Sequence, residues 1–118
     1  MVSCNSARLD GIFFALSDPT RRSILARLER QRRLSISELA EHFAVTLPAV
    51  LKHLNVLGET GLVRRSKSGR TVSVEIEPGS MKVALDWLEQ HQRFWSTSLD
   101  RLVGYAEAKE RQTEAKGS

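Results

Sequence analysis

The apolar positions of this chain recur at two different periods, and the changes of period mark its elements. From Ala7 to Leu16, the residues Leu9, Ile12, Phe13 and Leu16 follow three- and four-residue steps, predicting a first helix with a broad apolar face. Ser17-Asp18-Pro19-Thr20 is a boundary: Asp18 can cap the next helix, and Pro19 sits where a missing N–H costs nothing. The second helix runs to about Arg30, with Ile24, Leu25 and Leu28 inward. Ser35-Ile36-Ser37-Glu38 reads as a capping box that opens a short helix burying Leu39, Ala40 and Phe43. Ala44-Val45 make a turn, and a fourth helix starts at Thr46, with Pro48 in its first turn and Gly61 as a left-handed stop. On a helical wheel Val50, Leu54 and Leu57 share one side; Pro48, Lys52 and Asn55 lie opposite, with Leu51 at their edge.

The period then falls to two. Leu62-Val63-Arg64-Arg65-Ser66 and Thr71-Val72-Ser73-Val74-Glu75-Ile76 read as strands, with Lys67-Ser68-Gly69-Arg70 as the turn between them. Pro78-Gly79 breaks the chain, and a long helix is expected from about Ser80 to Ala106, roughly 40 Å in length. Met81, Leu85, Leu88, Trp95, Leu99, Leu102 and Ala106 form a heptad-like seam with Gln92 in its one polar slot; Trp87, His91 and Phe94 form a second stripe. A small domain cannot bury both stripes by itself, so one is expected to face its own core and the other a second subunit. The expected architecture is mainly α with a small β-hairpin, in the order α-α-α-α-β-β-α. Residues 1–6 are expected to be a flexible arm, 7–107 one domain with pairing helices at both ends, and 108–118 a disordered tail.

With 118 residues and 41% apolar content, the chain is long enough for one domain with a single core. Its formal net charge of +4 favours polyanionic partners. No apolar run reaches the roughly 20 residues of a membrane span, and no signal-peptide pattern opens the chain, so a cytoplasmic location is expected. Cys4 is the only cysteine, which excludes an internal disulfide and a cysteine-rich zinc site. His42, His53 and His91 are scattered, and no nucleophile elbow, phosphate loop or paired-acid motif is present, so neither catalysis nor a cofactor is expected.

A short helix, a tight turn and a longer helix with a polar outer face make a helix-turn-helix, and a cationic hairpin directly after it makes a wing. The fourth helix then suits the major groove of double-stranded DNA, where Lys52 and Asn55 can reach base edges and phosphates. Leu51 borders that face; lacking a hydrogen-bonding group, it is expected to pack on a thymine methyl. Thr46 and Pro48 on the helix, and Lys67, Arg70 and Thr71 on the wing, complete the candidate contact set. The plainer alternatives are an amphipathic surface helix and a solubilising charged hairpin. Most of Arg21, Arg22, Arg27, Arg30, Arg32 and Arg33 are expected to form a solvated face, and His53 a structural contact.

Taken in order, Ala15-Leu16-Ser17-Asp18-Pro19-Thr20-Arg21-Arg22, Ser37-Glu38-Leu39-Ala40, Pro48-Ala49-Val50-Leu51-Lys52-His53-Leu54, Gly61-Leu62-Val63 and Gly69-Arg70 resemble the ArsR/SmtB-type winged-helix repressors. The resemblance covers roughly Leu9 to Val103. It implies a homodimer paired through its first and last helices, here through Leu9, Phe13, Leu85, Leu88, Trp95, Leu99 and Leu102, on a palindromic operator. The metal-sensing members carry paired cysteines in the helix before the turn, where this chain has Ser37-Glu38-Leu39-Ala40-Glu41-His42-Phe43. Asp86, Glu89 and His91 do not reproduce the ligand spacing other members carry on the last helix, so the resemblance points to the metal-independent branch. Leu51 also departs from the family, many members having a small hydroxyl residue there. A metal- or small-molecule-responsive sensor, and a winged-helix protein-interaction module without DNA binding, are the alternative readings.

Overall fold

A computed structural model describes residues 4–116. Its elements run α1 (Cys4–Leu16), α2 (Pro19–Arg30), β1 (Leu34–Ser35), α3 (Ile36–Phe43), α4 (Leu47–Glu59), β2 (Val63–Ser68), β3 (Thr71–Ile76) and α5 (Pro78–Lys116). The chain divides into two units, the first ending at Ala84 and the second beginning at Leu85.

In the first unit, the apolar faces predicted from spacing converge on one core. Ile12, Ile24, Leu28, Leu39, Val50, Leu54, Leu57, Leu62 and Val74 are fully buried there. The helix ends follow local chemistry. Asp18 caps α2 by accepting from the Arg21 N–H at 3.0 Å. Ser35 and Glu38 close a capping box on α3. Thr46 caps α4 by accepting from the Ala49 N–H at 3.3 Å.

The far end of α4 is stopped by a specific device. Gly61 adopts a φ of +74°; its N–H donates to Gly58 O and that of Leu62 to Leu57 O, both at 3.0 Å. These are the two bonds of a Schellman motif, with buried Leu57 and Leu62 as its apolar pair. Ala44 ends α3 the same way at φ 52°, a left-handed conformation that costs a residue with a Cβ about 1–2 kcal/mol relative to glycine.

Three expectations are corrected. The sheet has three strands, ordered β1-β3-β2, because Leu34 and Ser35 pair with Val74 and Ser73. A two-residue strand is too short to show a period. The hairpin turn is also tighter than expected: Ser68 pairs with Thr71, leaving only Gly69 and Arg70 between the strands. Gly69, at φ +63°, supplies the positive φ that a two-residue turn of this kind needs at its first central position.

The third correction concerns the ends. Residues 4–6 of the expected arm are helical, and α5 starts at Pro78 and continues through Lys116, where a break and a disordered tail were expected. Proline is tolerated in a first helical turn, and the run from Ala106 to Lys116 consists almost wholly of strong helix formers with no Gly or Pro. Residues 1–3 of the arm and 117–118 of the tail lie outside the described residues.

In the second unit, α5 carries a long apolar face in which Trp95, Leu99 and Leu102 are 57%, 57% and 62% exposed. A groove of about 470 Å³ follows it, lined by Leu85, Leu88, Gln92, Trp95 and Leu99. Trp87 stacks against His91 with ring centres 4.3 Å apart, and Phe94 meets Trp95 edge-on at 5.4 Å. No helix among the described residues is long and apolar enough to cross a membrane.

Candidate nucleic-acid interface

The outer face of α4 exists because its opposite face is fully used. With Val50, Leu54 and Leu57 buried, the helical period places Pro48, Lys52 and Asn55 outward, and all three are exposed. Leu51 is 37% exposed at the edge of that face, and Leu47, one turn earlier, is 48% exposed. Sequence reasoning passed over Leu47, because its place beside the cap hides it from a count of periodic positions. Thr46 is exposed, with its hydroxyl engaged by the cap.

His53, on the flank of α4, is half-buried and ties the helix to α2: its Nδ1 lies 3.9 Å from Asp18 Oδ2 and 3.4 Å from Arg21 Nη1. Arg21 is only 8% exposed. Its Nε donates to Ala15 O at 2.7 Å and its Nη2 to Phe14 O at 3.1 Å, while the guanidinium carbon lies 5.2 Å from the Phe14 ring centre. Arg22 donates to Leu16 O at 2.7 Å from a more exposed position. Of the six arginines from Arg21 to Arg33, most of which were expected to form a solvated face, Arg21 and Arg22 are therefore caps for the last carbonyls of α1, where the helix dipole favours a cation. The signal for this was the Asp-Pro boundary, which puts Arg21 and Arg22 in the first turn of α2, five and six residues after the end of α1. Asp18 is held below its usual carboxylate range, first by the Arg21 N–H and also by the charges of His53 and Arg21.

On the wing, register sorts the cations. Residues directly opposite in an antiparallel pair share a face of the sheet. Arg65 pairs with Val74 and Lys67 with Val72, on the face that carries buried Val63 and Val74 towards the core. Arg64 pairs with Glu75 on the other face. Its Nη2 lies 2.7 Å from Glu75 Oε1 and its Nη1 3.2 Å from Glu77 Oε2, with Arg33 3.6 Å from Glu75. These arginines hold the Glu75 carboxyl below its usual range, Arg64 foremost through its hydrogen bond, and Glu75 raises the Arg64 pKa in turn. Arg64 is thus neutralised.

Arg65 donates through Nη2 to Asn55 Oδ1, joining the wing to the outer face of α4. Lys52, Lys67 and Arg70 are exposed, and among the described residues none of them has a carboxylate partner. Thr71 is exposed beside the turn. The structure therefore gathers Thr46, Pro48, Leu51, Lys52 and Asn55 on one helix, and Lys67, Arg70 and Thr71 at the end of the hairpin; it adds Arg65, which spacing alone leaves as one of two equivalent strand arginines.

Of the expected pairing residues in the first unit, Leu9 packs half-buried against the core, whereas Phe13 is exposed, as is its neighbour Phe14. Among the described residues, no group of three or more His, Cys, Asp or Glu side chains is placed to hold a metal ion.

Comparison with known proteins gives this geometry relatives. A helix-turn-helix domain family matches residues 16–66. The chain is 35% identical over 98 residues to the HTH-type transcriptional regulator Rv2034 of Mycobacterium tuberculosis, covering 83% of this chain and 85% of that one. It is 28% identical over 80 residues to the transcriptional repressor SdpR of Bacillus subtilis, covering 68% and 88%. Among solved structures, it is similar to an ArsR family transcriptional regulator at 38% identity and a TM-score of 0.71, over 81% of this chain and 97% of that one. An ArsR-like transcriptional regulator from Rhodococcus sp. RHA1 follows at 35% identity and a TM-score of 0.70, over 86% and 93%.

Proposed function

The chain belongs to the ArsR-type winged helix-turn-helix transcriptional regulators, and from that premise we propose that it works as a homodimeric repressor of a palindromic operator, independently of metal. The observation that carries the proposal is the one-sided charge of the reading surface. Lys52 on α4 and Lys67 and Arg70 on the wing lack carboxylate partners among the described residues, whereas Arg64 on the opposite sheet face is neutralised by Glu75 and Glu77. A face evolved only to bind protein has little use for unpaired cations at both a helix and a hairpin. A duplex presents phosphates at both positions when a helix occupies its major groove.

In this reading α4 lies in the groove with Leu51 against a base edge, Lys52 within reach of base edges and phosphates, and Thr46 and Pro48 at the groove wall. Lys67, Arg70 and Thr71 hold flanking phosphates. Dimerisation is supported by the exposed seam of Leu85, Leu88, Trp95, Leu99 and Leu102, an apolar stripe of a kind that marks an interaction surface, and by exposed Phe13 on α1. Two identical heads related by a two-fold axis would require an operator with matching symmetry. Repression has a parallel in the repressor SdpR. Metal independence is argued from the absence of paired cysteines in α3 and the unsuited spacing of Asp86, Glu89 and His91.

The test is selection of bound fragments from the source genome, followed by sequencing and by binding measurements with and without chelator. The expected result is enrichment of a palindromic motif, bound with a steep salt dependence and equally well in both conditions. A protein that enriches no motif, or one that leaves DNA on stoichiometric zinc through His91, would refute the proposal.

A further inference from the structure

Two neighbouring arginines of β2 have opposite fates. Arg64 lies on the sheet face of Glu75 and is bound to Glu75 and Glu77. Arg65 lies on the face of Val63 and Val74, and its partner is the amide of Asn55 on the outer face of α4. An amide oxygen orients a guanidinium without cancelling its charge. Among the described residues no carboxylate is paired with Arg65, so its charge is left uncancelled at Asn55, which lies three residues from Lys52 on the same helix. A contact serving only to join helix and wing has no need of a charged group. A guanidinium held in place also gives up less side-chain freedom when it binds something else.

We propose that Arg65 is a specificity-determining residue that reads a guanine in each half-site, and that Asn55 is its positioning residue and not itself a reader of bases. The chemistry fits: guanine presents N7 and O6 as adjacent acceptors in the major groove, and the arginine fork matches that pair. One N–H of the fork is taken by Asn55, leaving the others for the base. Asparagine acting alone would instead select adenine, through its N6 and N7. The inference rests on the DNA-binding reading above.

The experiment is a base-by-base substitution of the selected operator, read as affinity, with the wild type, Arg65→Ala, Arg65→Lys, Asn55→Ala and the double variant. Arg65→Ala should erase a guanine preference at one symmetric position, roughly five- to a hundredfold. Arg65→Lys should restore it only in part, because an ammonium can reach O6 and N7 but lacks the planar fork that also engages Asn55. Asn55→Ala should weaken preference at the same position and leave every adenine position unchanged, and the double variant should be no worse than Arg65→Ala. Placing 7-deazaguanine at that position should reproduce the loss with wild-type protein, which keeps the test independent of how any variant folds. An adenine preference lost with Asn55→Ala would overturn the assignment, as would a uniform weakening by Arg65→Ala on all sequences, which marks a phosphate contact. Either result leaves the regulator reading standing, whereas a wild type that prefers no sequence overturns both.

Discussion

Replacing Arg21 should cost this protein far more stability than replacing Arg22, its neighbour in the chain. Both arginines donate to carbonyls at the end of α1, but Arg21 is 8% exposed and Arg22 is exposed. Arg21 makes two such bonds, at 2.7 and 3.1 Å, and lies over the Phe14 ring; Arg22 makes one, at 2.7 Å. Each bond from a charged donor is worth about 1.5–3 kcal/mol when water is excluded, and the cation–π contact adds about 0.5–1. These terms overlap, and the desolvation of the guanidinium opposes them, so Arg21→Ala should cost about 2–4 kcal/mol. Arg22→Ala removes one solvent-screened bond and should cost about 0.5 kcal/mol. The assay is urea unfolding at one protomer concentration, because the stability of an associating protein depends on concentration. With a slope of about 1–2 kcal/mol per molar urea, the midpoint should fall by about 2 M for Arg21→Ala and about 0.3 M for Arg22→Ala. Arg21→Lys should lie between them, since lysine keeps a charged donor near the carbonyls but lacks the planar guanidinium that spans both and lies over the Phe14 ring. Equal shifts for the two alanine variants would refute the reasoning: burial and the second bond would then contribute nothing, and the Asp-Pro boundary would hold α1 to α2 by itself.

Replacing Leu99 with glutamate should abolish dimers in sedimentation and operator binding together; a wild type that is monomeric at micromolar concentration would contradict the pairing seam. Leu51→Ser should weaken operator binding by roughly 1–3 kcal/mol per half-site and relax one symmetric base pair. Uracil in place of that thymine should mimic the loss with wild-type protein, and an unchanged affinity would make Leu51 a packing residue. Arg70→Ala should weaken binding to specific and random DNA alike and flatten the salt slope by about one unit for each phosphate that is no longer neutralised; a change in base preference would show that the wing reads a groove. Asp18 and Glu75, both with folded pKa values held below the ordinary 3.8 and 4.5, contribute stability that is present above those values and lost as pH falls through the depressed ones. The urea midpoint should therefore fall as pH drops through and below the ordinary carboxylate range, and Asp18→Asn with Glu75→Gln should flatten that limb; an unaltered limb would assign acid sensitivity to other groups.

The sequence displayed the fold wherever a period had room to repeat. Ile24, Leu25 and Leu28 on α2, and Val50, Leu54 and Leu57 on α4, are the buried sets that spacing predicted. The caps Asp18, Ser35 and Thr46 were legible because capping is a short-range bond between a side chain and an N–H three residues on. What escaped was either too short or too distant. Leu34–Ser35 forms a strand only because β3 offers it an edge, and nothing local to two residues can announce that. The candidate interface was legible as a set of residues, since an outer helix face and a cationic hairpin follow from period and composition. Its internal pairing was not. Whether Arg64 or Arg65 is left without an opposing carboxylate depends on register against Glu75 and Val74, which a slip of one residue would have exchanged.

The junction after α4 has a consequence for how such a protein can be controlled. Between the cap at Thr60 and the first strand residue, Val63, only Gly61 and Leu62 intervene, and both N–H groups are bonded back into the helix. The carbonyl of Leu62 is committed as well, accepting from the Glu77 N–H at 2.9 Å. A hinge needs backbone that can exchange partners easily, and three of the four backbone polar groups of Gly61 and Leu62 are already committed. Helix and hairpin therefore move as one tool with a fixed bite. In a dimer of such tools, an inducing signal has little prospect of blunting the bite; its leverage lies in the gauge, the distance between the two heads measured against one turn of the duplex. Retuning the protein to a differently spaced operator would be a matter of altering how the subunits are joined, with the letters each head reads left as they are.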